Sequence, residues 1–187
     1  MVAAEAPVHQ AFVTDLDAIR KRARAQMMDG AVTNAYKADR ERVLSVLNEV
    51  LATELVCVLR YKSHYYKARG IYKAPVAAEF LQHAAEEQAH ADMICERITQ
   101  LGGEPNLDPE GLAGRSHSEY RGGESLKDLV KEDLVAERIA IETYSEVVRW
   151  IGDDDPTTRR MLEEILGMEE EHANDMLDLL DRMGSSV

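Results

Sequence analysis

Cysteine is scarce: Cys57 and Cys95 are the only two in 187 residues. Two thiols cannot build the disulfide framework of a small secreted domain, and these lack the C-x-x-C spacing of thiolate metal sites. They are also out of register with each other. If the helices carrying them run antiparallel with Glu54 level with Glu87, Cys95 falls roughly 16 Å along the axis from Cys57, so no disulfide is expected within one subunit. No run of about 18 apolar residues occurs, and the opening MVAAEAPVHQ lacks a basic region followed by an apolar core and a cleavage site. The expectation is a soluble, cytoplasmic protein with no membrane partner. Basic charge is short as well: 22 Lys plus Arg face 35 Asp plus Glu, a formal charge of −13, which opposes binding to phosphate backbones. DNA is therefore not expected as a partner. The one basic cluster, Arg20, Lys21, Arg22 and Arg24, reads as the solvated face of a surface helix. Aromatic residues make up only 5% against 45% hydrophobic in all, a balance that suits helices packing through aliphatic side chains and implies an all-α protein.

The apolar pattern divides the chain into an N-terminal arm with a short helix, residues 1–36, and a helical bundle, residues 37–187. Residues 1–12 read as a flexible arm, after which Thr14, with Asp17 three positions on, is placed to cap a helix running to about Met28. From about Asp39 to Ala68 an apolar stripe recurs at helical spacing through Leu47, Leu51, Val58, Tyr61 and Tyr65. A second long helix carries Pro75 in its first turn and a stripe of Phe80, Ala84, Ala91, Ile94, Ile98 and Leu101, and stops at Gly102-Gly103. The next twenty or so residues hold Pro105, Pro109, Gly111, Gly114, Gly122 and Gly123, the composition of a long connection. Ser125 is placed to cap a third helix through Leu126, Val130, Leu134, Ile141, Tyr144 and Val148, ending near Gly152. Asp155-Pro156 then opens a fourth, with Leu162, Ile165, Met176, Leu179 and Met183 on its stripe. Two hairpins with short turns, joined by one long crossover, define a four-helix bundle.

The chemistry is carried by a doubled motif. Glu87 and His90 form one Glu-x-x-His, Glu169 and His172 another, and a lone glutamate lies in an apolar stripe 33 residues before the first (Glu54) and 32 before the second (Glu137). Residues three apart share a helix face with β-carbons about 5–6 Å apart, so a carboxylate and an imidazole converge on one ion. Four carboxylates at −4 with two neutral imidazoles balance two divalent cations at +4. Ionised carboxylates in an apolar interior are costly unless compensated; the competing explanation is that they pair with Arg or Lys of neighbouring helices or turn outward. Carboxylate with imidazole points to iron or manganese rather than to thiolate-bound zinc or iron–sulfur clusters. Iron is the expected metal.

The segments ELVCVLRY (54–61), HAAEEQAHADMICERI (83–98), LVAERIAIETYSEVV (134–148) and LEEILGMEEEHANDML (162–177) give the chain its resemblance to the ferritin superfamily. It is most similar to bacterioferritins and to the bacterioferritin-like, Dps-like mini-ferritins, over about residues 38–183. The resemblance implies a ferritin-like bundle in which Glu54, Glu87 and His90 serve one iron and Glu137, Glu169 and His172 the other, with Glu87 and Glu169 bridging. Tyr61 matches a tyrosine beside the bacterioferritin site that donates an electron or orders the ligands. It implies a ferroxidase that oxidises Fe2+ with O2 or H2O2 and stores Fe3+ as mineral in a homo-oligomeric shell. The alternative is a di-metal peroxidase or catalase without storage. Gln88 stands where bacterioferritins carry a haem-binding methionine, so haem is not expected. Only Gly184 to Val187 follow the fourth bundle helix, where larger shells carry a fifth, so 12 subunits are expected rather than 24. Cys57 reads as core-filling or as a thiol facing the site. His83, one turn before Glu87, reads as solvated on the outer face or as a transient stop for iron. Met161, Met168, Met176 and Met183 read as packing residues.

Overall fold

A computed structural model describes residues 14–184; the arm expected over residues 1–12 lies outside them. The chain divides into two compact units, one up to Ala35 and one from Tyr36 onward. The first contains α1, Leu16–Ala25. Its N-cap is Asp15, whose carboxylate accepts a hydrogen bond from the Ala18 amide at 2.9 Å, in place of the expected Thr14. The helix ends three residues short of Met28, because the chain turns at Gln26 to Asp29. Arg20, Lys21, Arg22 and Arg24 are all exposed.

The second unit is the bundle. Its long helices are α2 (Arg40–Lys67), α3 (Lys73–Gln100), α5 (Leu126–Ile151) and α6 (Pro156–Gly184), with a single turn, α4 (Leu112–Arg115), in the crossover. Each start has a local cause. The Asp39 carboxylate caps α2 through the Arg42 amide, and Ser125 with Asp128 closes a reciprocal capping box on α5. Asp155 accepts from the Thr158 amide at the head of α6, just before Pro156. α2 packs along α3 and α5 along α6, and the two hairpins meet through α2 with α5 and α3 with α6. No helix among the described residues is long and apolar enough to cross a membrane.

The core follows the expected stripes, with Leu47, Leu51, Phe80, Ile94, Ile98, Leu162, Ile165 and Met176 fully buried. It also contains a charged pair that the apolar pattern does not announce. Arg60 of α2 and Asp133 of α5, both buried, pair at 3.1 Å. The guanidinium also donates to Ser118 Oγ at 2.9 Å, to the Glu119 carbonyl at 3.2 Å and to Cys57 Sγ at 3.2 Å. His64 completes the cluster between Asp133 Oδ2 at 2.9 Å and the Arg121 carbonyl at 3.1 Å. The far end of the crossover is thereby tied to both hairpins, and a buried charge pair this fully hydrogen-bonded meets the condition under which burial is tolerated. Cys57 and Cys95 are both free thiols.

Candidate metal centre

Glu54, Glu87, His90, Glu137, Glu169 and His172 come together in the middle of the bundle, one lone glutamate from each of α2 and α5 and one Glu-x-x-His from each of α3 and α6. All six are buried. His90 Nδ1 lies 3.3 Å from Glu54 Oε2, 3.3 Å from Glu87 Oε2 and 3.0 Å from Glu169 Oε1. His172 Nδ1 lies 3.6 Å from Glu87 Oε1 and 3.6 Å from Glu169 Oε2. Two overlapping sets of ligand atoms result, each spanning no more than 4.8 Å: Glu54, Glu87, His90 and Glu169 in one, Glu87, Glu137, Glu169 and His172 in the other. Glu87 and Glu169 belong to both.

The arginines and lysines that might have neutralised these acids are elsewhere. Arg60 is committed to Asp133 and Arg97 to Asp155. Among the described residues, Glu87 Oε1, Glu137 Oε2, both Glu169 oxygens and His172 Nδ1 have no hydrogen-bond partner. Native proteins leave few buried polar atoms in that state, and hard oxygen donors with two imidazoles are a donor set that fits iron or manganese. The residues present therefore fit a pair of divalent ions.

Protonation within the cluster reflects the crowding of like charges. Burial, then repulsion from Glu87, raises the Glu54 carboxyl from 4.5 to about 8. Burial, then Glu87 and Glu169, pushes Glu137 well above its ordinary value. Burial acts downward on both ligand histidines, but the surrounding carboxylates, Glu169 first, outweigh it and lift His90 to about 12 and His172 to about 10.

Around the six stands a supporting set. The Tyr61 hydroxyl donates to Glu137 Oε1. Tyr144 does the same for Glu54 Oε1 from the other hairpin. Sequence reasoning placed Tyr144 on an apolar stripe only, yet a signal was present: Tyr144 follows Glu137 by seven residues, as Tyr61 follows Glu54. His172 Nε2 meets Glu86 Oε2 at 3.0 Å, and His90 Nε2 meets Met168 Sδ at 3.4 Å. Met176 is wholly buried packing. Cys57 turns its sulfur to Arg60, and burial holds its thiol well above the ordinary value. His83 corrects the outer-face reading: it has no exposed surface, because its ring lies flat on His172, centroids 4.0 Å apart. Burial, then the neighbouring His172, lowers it to about 4, so the ring is neutral near pH 7.

The family described as ferritin-like domain matches residues 44–185. A bacterioferritin of Desulfovibrio desulfuricans is 29% identical over 147 residues, 78% of this chain and 76% of that one. An X-ray structure of a bacterioferritin from that organism, with a diiron site in different catalytic states, is 26% identical with a TM-score of 0.69 over 79% of this chain and 82% of that one. A dodecameric thioferritin, the bacterioferritin-related protein of Bacteroides fragilis, is 31% identical with a TM-score of 0.76 over 79% and 89%. Dps from Thermosynechococcus elongatus, 20% identical with a TM-score of 0.72 over 75% and 90%, shares the fold.

Proposed function

The chain belongs to the ferritin-like domain family, and from that premise we propose that it is a ferroxidase and iron-storage protein, taking Fe2+ as substrate and keeping Fe3+ inside a shell of identical subunits. The observation that carries this reading is the buried meeting of four carboxylates and two imidazoles with five ligand atoms lacking partners. Glu54 and His90 would hold one ion, Glu137 and His172 the other, with Glu87 and Glu169 between them. When bound, the pair supplies two one-electron reductants side by side. With hydrogen peroxide, two Fe2+ each give one electron, two protons are consumed, and two waters and two Fe3+ result.

The protein groups set the conditions for that exchange. Anionic oxygen ligands favour the higher oxidation state of iron. Tyr61 and Tyr144 each fix the rotamer of the terminal glutamate on the facing hairpin, leaving its second oxygen turned to the centre. Tyr61 is also the aromatic group placed to pass an electron, as it touches both Glu137 and His83. The net charge of −13 favours concentration of Fe2+ near the protein. At position 88 an exposed glutamine bonds Asp92 and offers no thioether, so haem is not assigned. A shell of twelve, as in the B. fragilis relative, and a cytoplasmic location complete the reading.

Anaerobic Fe2+ titration followed by oxidant tests it. The expected result is two Fe2+ bound per chain in the centre, fast oxidation, and Fe3+ retained by the protein through gel filtration. Glu87→Ala and Glu169→Ala, which remove the shared ligands, should each cut the initial rate by about 10²-fold or more. Peroxide disproportionation with manganese and no retained iron would instead assign a catalase-type enzyme.

A further inference from the structure

One more group of ligand atoms converges outside the six. Glu79 and His83 of α3 and Asp175 of α6 bring two carboxylate oxygens and an imidazole nitrogen within 4.8 Å of one another. His83 Nε2 lies 3.4 Å from Asp175 Oδ2 and 3.5 Å from Glu79 Oε1. It is buried and has no hydrogen-bond partner among the described residues.

The opposite side of the ring explains why. The Tyr61 hydroxyl gives its one proton to Glu137, so towards His83 Nδ1, at 3.1 Å, it can only accept. Nδ1 therefore carries a hydrogen, and Nε2 is the ring atom turned to the two carboxylates. Two carboxylate oxygens and a ring nitrogen this close, the nitrogen buried and without a hydrogen-bond partner among the described residues, suit a shared cation. Burial, then the charges of Asp175 and Glu86, lifts the Glu79 carboxyl above its ordinary value, with Arg182 acting against them.

The position adds direction. The Glu79 and Asp175 side chains are 29% and 48% exposed, whereas His83 behind them is stacked on His172. Glu86, 30% exposed, lies beside His172 on the same groove between α3 and α6. From solvent inward the order is carboxylate pair, His83, His172, paired centre.

We propose that Glu79, His83 and Asp175 form a third cation site, which takes Fe2+ from solvent and holds it one imidazole away from the paired centre before it moves inward. Two oxygens and one nitrogen suit a hydrated, hard-to-borderline divalent ion of this kind. The feeding role rests on the ferroxidase reading of the six central side chains; the ligand set does not.

The test uses the whole protein, wild type against the double variant Glu79→Gln/Asp175→Asn, which alters only the two exposed carboxylates. Crystals soaked in Zn2+, a redox-inert stand-in, should show anomalous density at the Glu79, His83 and Asp175 position in wild type, lost in the variant while density at the paired centre remains. Stopped-flow oxidation at limiting Fe2+ should slow by about tenfold in the variant, with the amount of Fe2+ oxidised in the first turnover unchanged. Density in the paired centre but none at Asp175, or an unchanged rate, overturns the proposal. Density at Asp175 with none in the paired centre overturns the ferroxidase reading and the feeding role together, and leaves a plain divalent-cation site.

Discussion

Protons occupy the centre wherever a cation does not. His90 and His172, held at about 12 and 10, and Glu54, at about 8, are protonated at pH 7, while burial and the charges of Glu87 and Glu169 push Glu137 well above its ordinary value. Binding two divalent ions at pH 7 should therefore release about three protons per chain, one each from His90, His172 and Glu54; Zn2+ calorimetry in buffers of different ionisation enthalpy would count them, and release near zero would contradict the cluster. The sign for stability follows. Each of these groups has a folded value above its unfolded one, so its stabilisation is complete below 4.5 for the glutamates and 6.5 for the histidines, and is lost as pH rises through the folded values. The metal-free bundle should melt at progressively lower temperature from about pH 6 to 10. The six central residues were legible because a carboxylate inside an apolar stripe breaks a periodic pattern, and i, i+3 spacing turns that break into geometry. Tyr144 was hidden because a buried tyrosine reads as apolar body, and its hydroxyl finds a role only when Glu54 arrives from a helix 90 residues away. His83 sits between exposed Gln82 and buried Ala84, so its depth depended on His172, which no local pattern encodes.

Helix boundaries were readable where capping chemistry is local. Asp39, Ser125 and Asp155 each cap the helix that follows them. Thr14 was misassigned because its neighbour Asp15 offers a competing carboxylate for the same amides. The crossover was legible as breaker-rich chain but not as structure, since the anchoring of Ser118, Glu119 and Arg121 depends on Arg60 and His64 of α2, which in turn pair with Asp133 of α5. Asp133→Ala would leave the Arg60 guanidinium buried without its counter-charge. The expected loss is about 3–5 kcal/mol, seen in denaturant unfolding at matched protein concentration, with faster amide exchange over residues 118–121. A loss under about 1 kcal/mol would mean that water or another acid takes the place of Asp133.

Assembly lies beyond what one chain's periodicity can specify. Leu59, Leu81, Val135, Trp150 and Leu177 are large apolar side chains left exposed on the bundle, scattered along all four long helices in a way that suits burial by neighbouring copies. A shell of twelve chains of 21.0 kDa should scatter light as a particle of about 250 kDa; a mass near twice that would assign 24 subunits, and a monomer would remove the storage compartment. Within each subunit, the sharing of Glu87 and Glu169 has a further consequence. On the proposed reading neither ion could be seated by one hairpin alone: each candidate ligand set takes members from both halves, so every ion would act as a rivet across the seam. The first to arrive would clamp the halves and pre-shape the berth of the second, so loading should be positively cooperative, and half-filled centres should be scarce even when iron is in short supply.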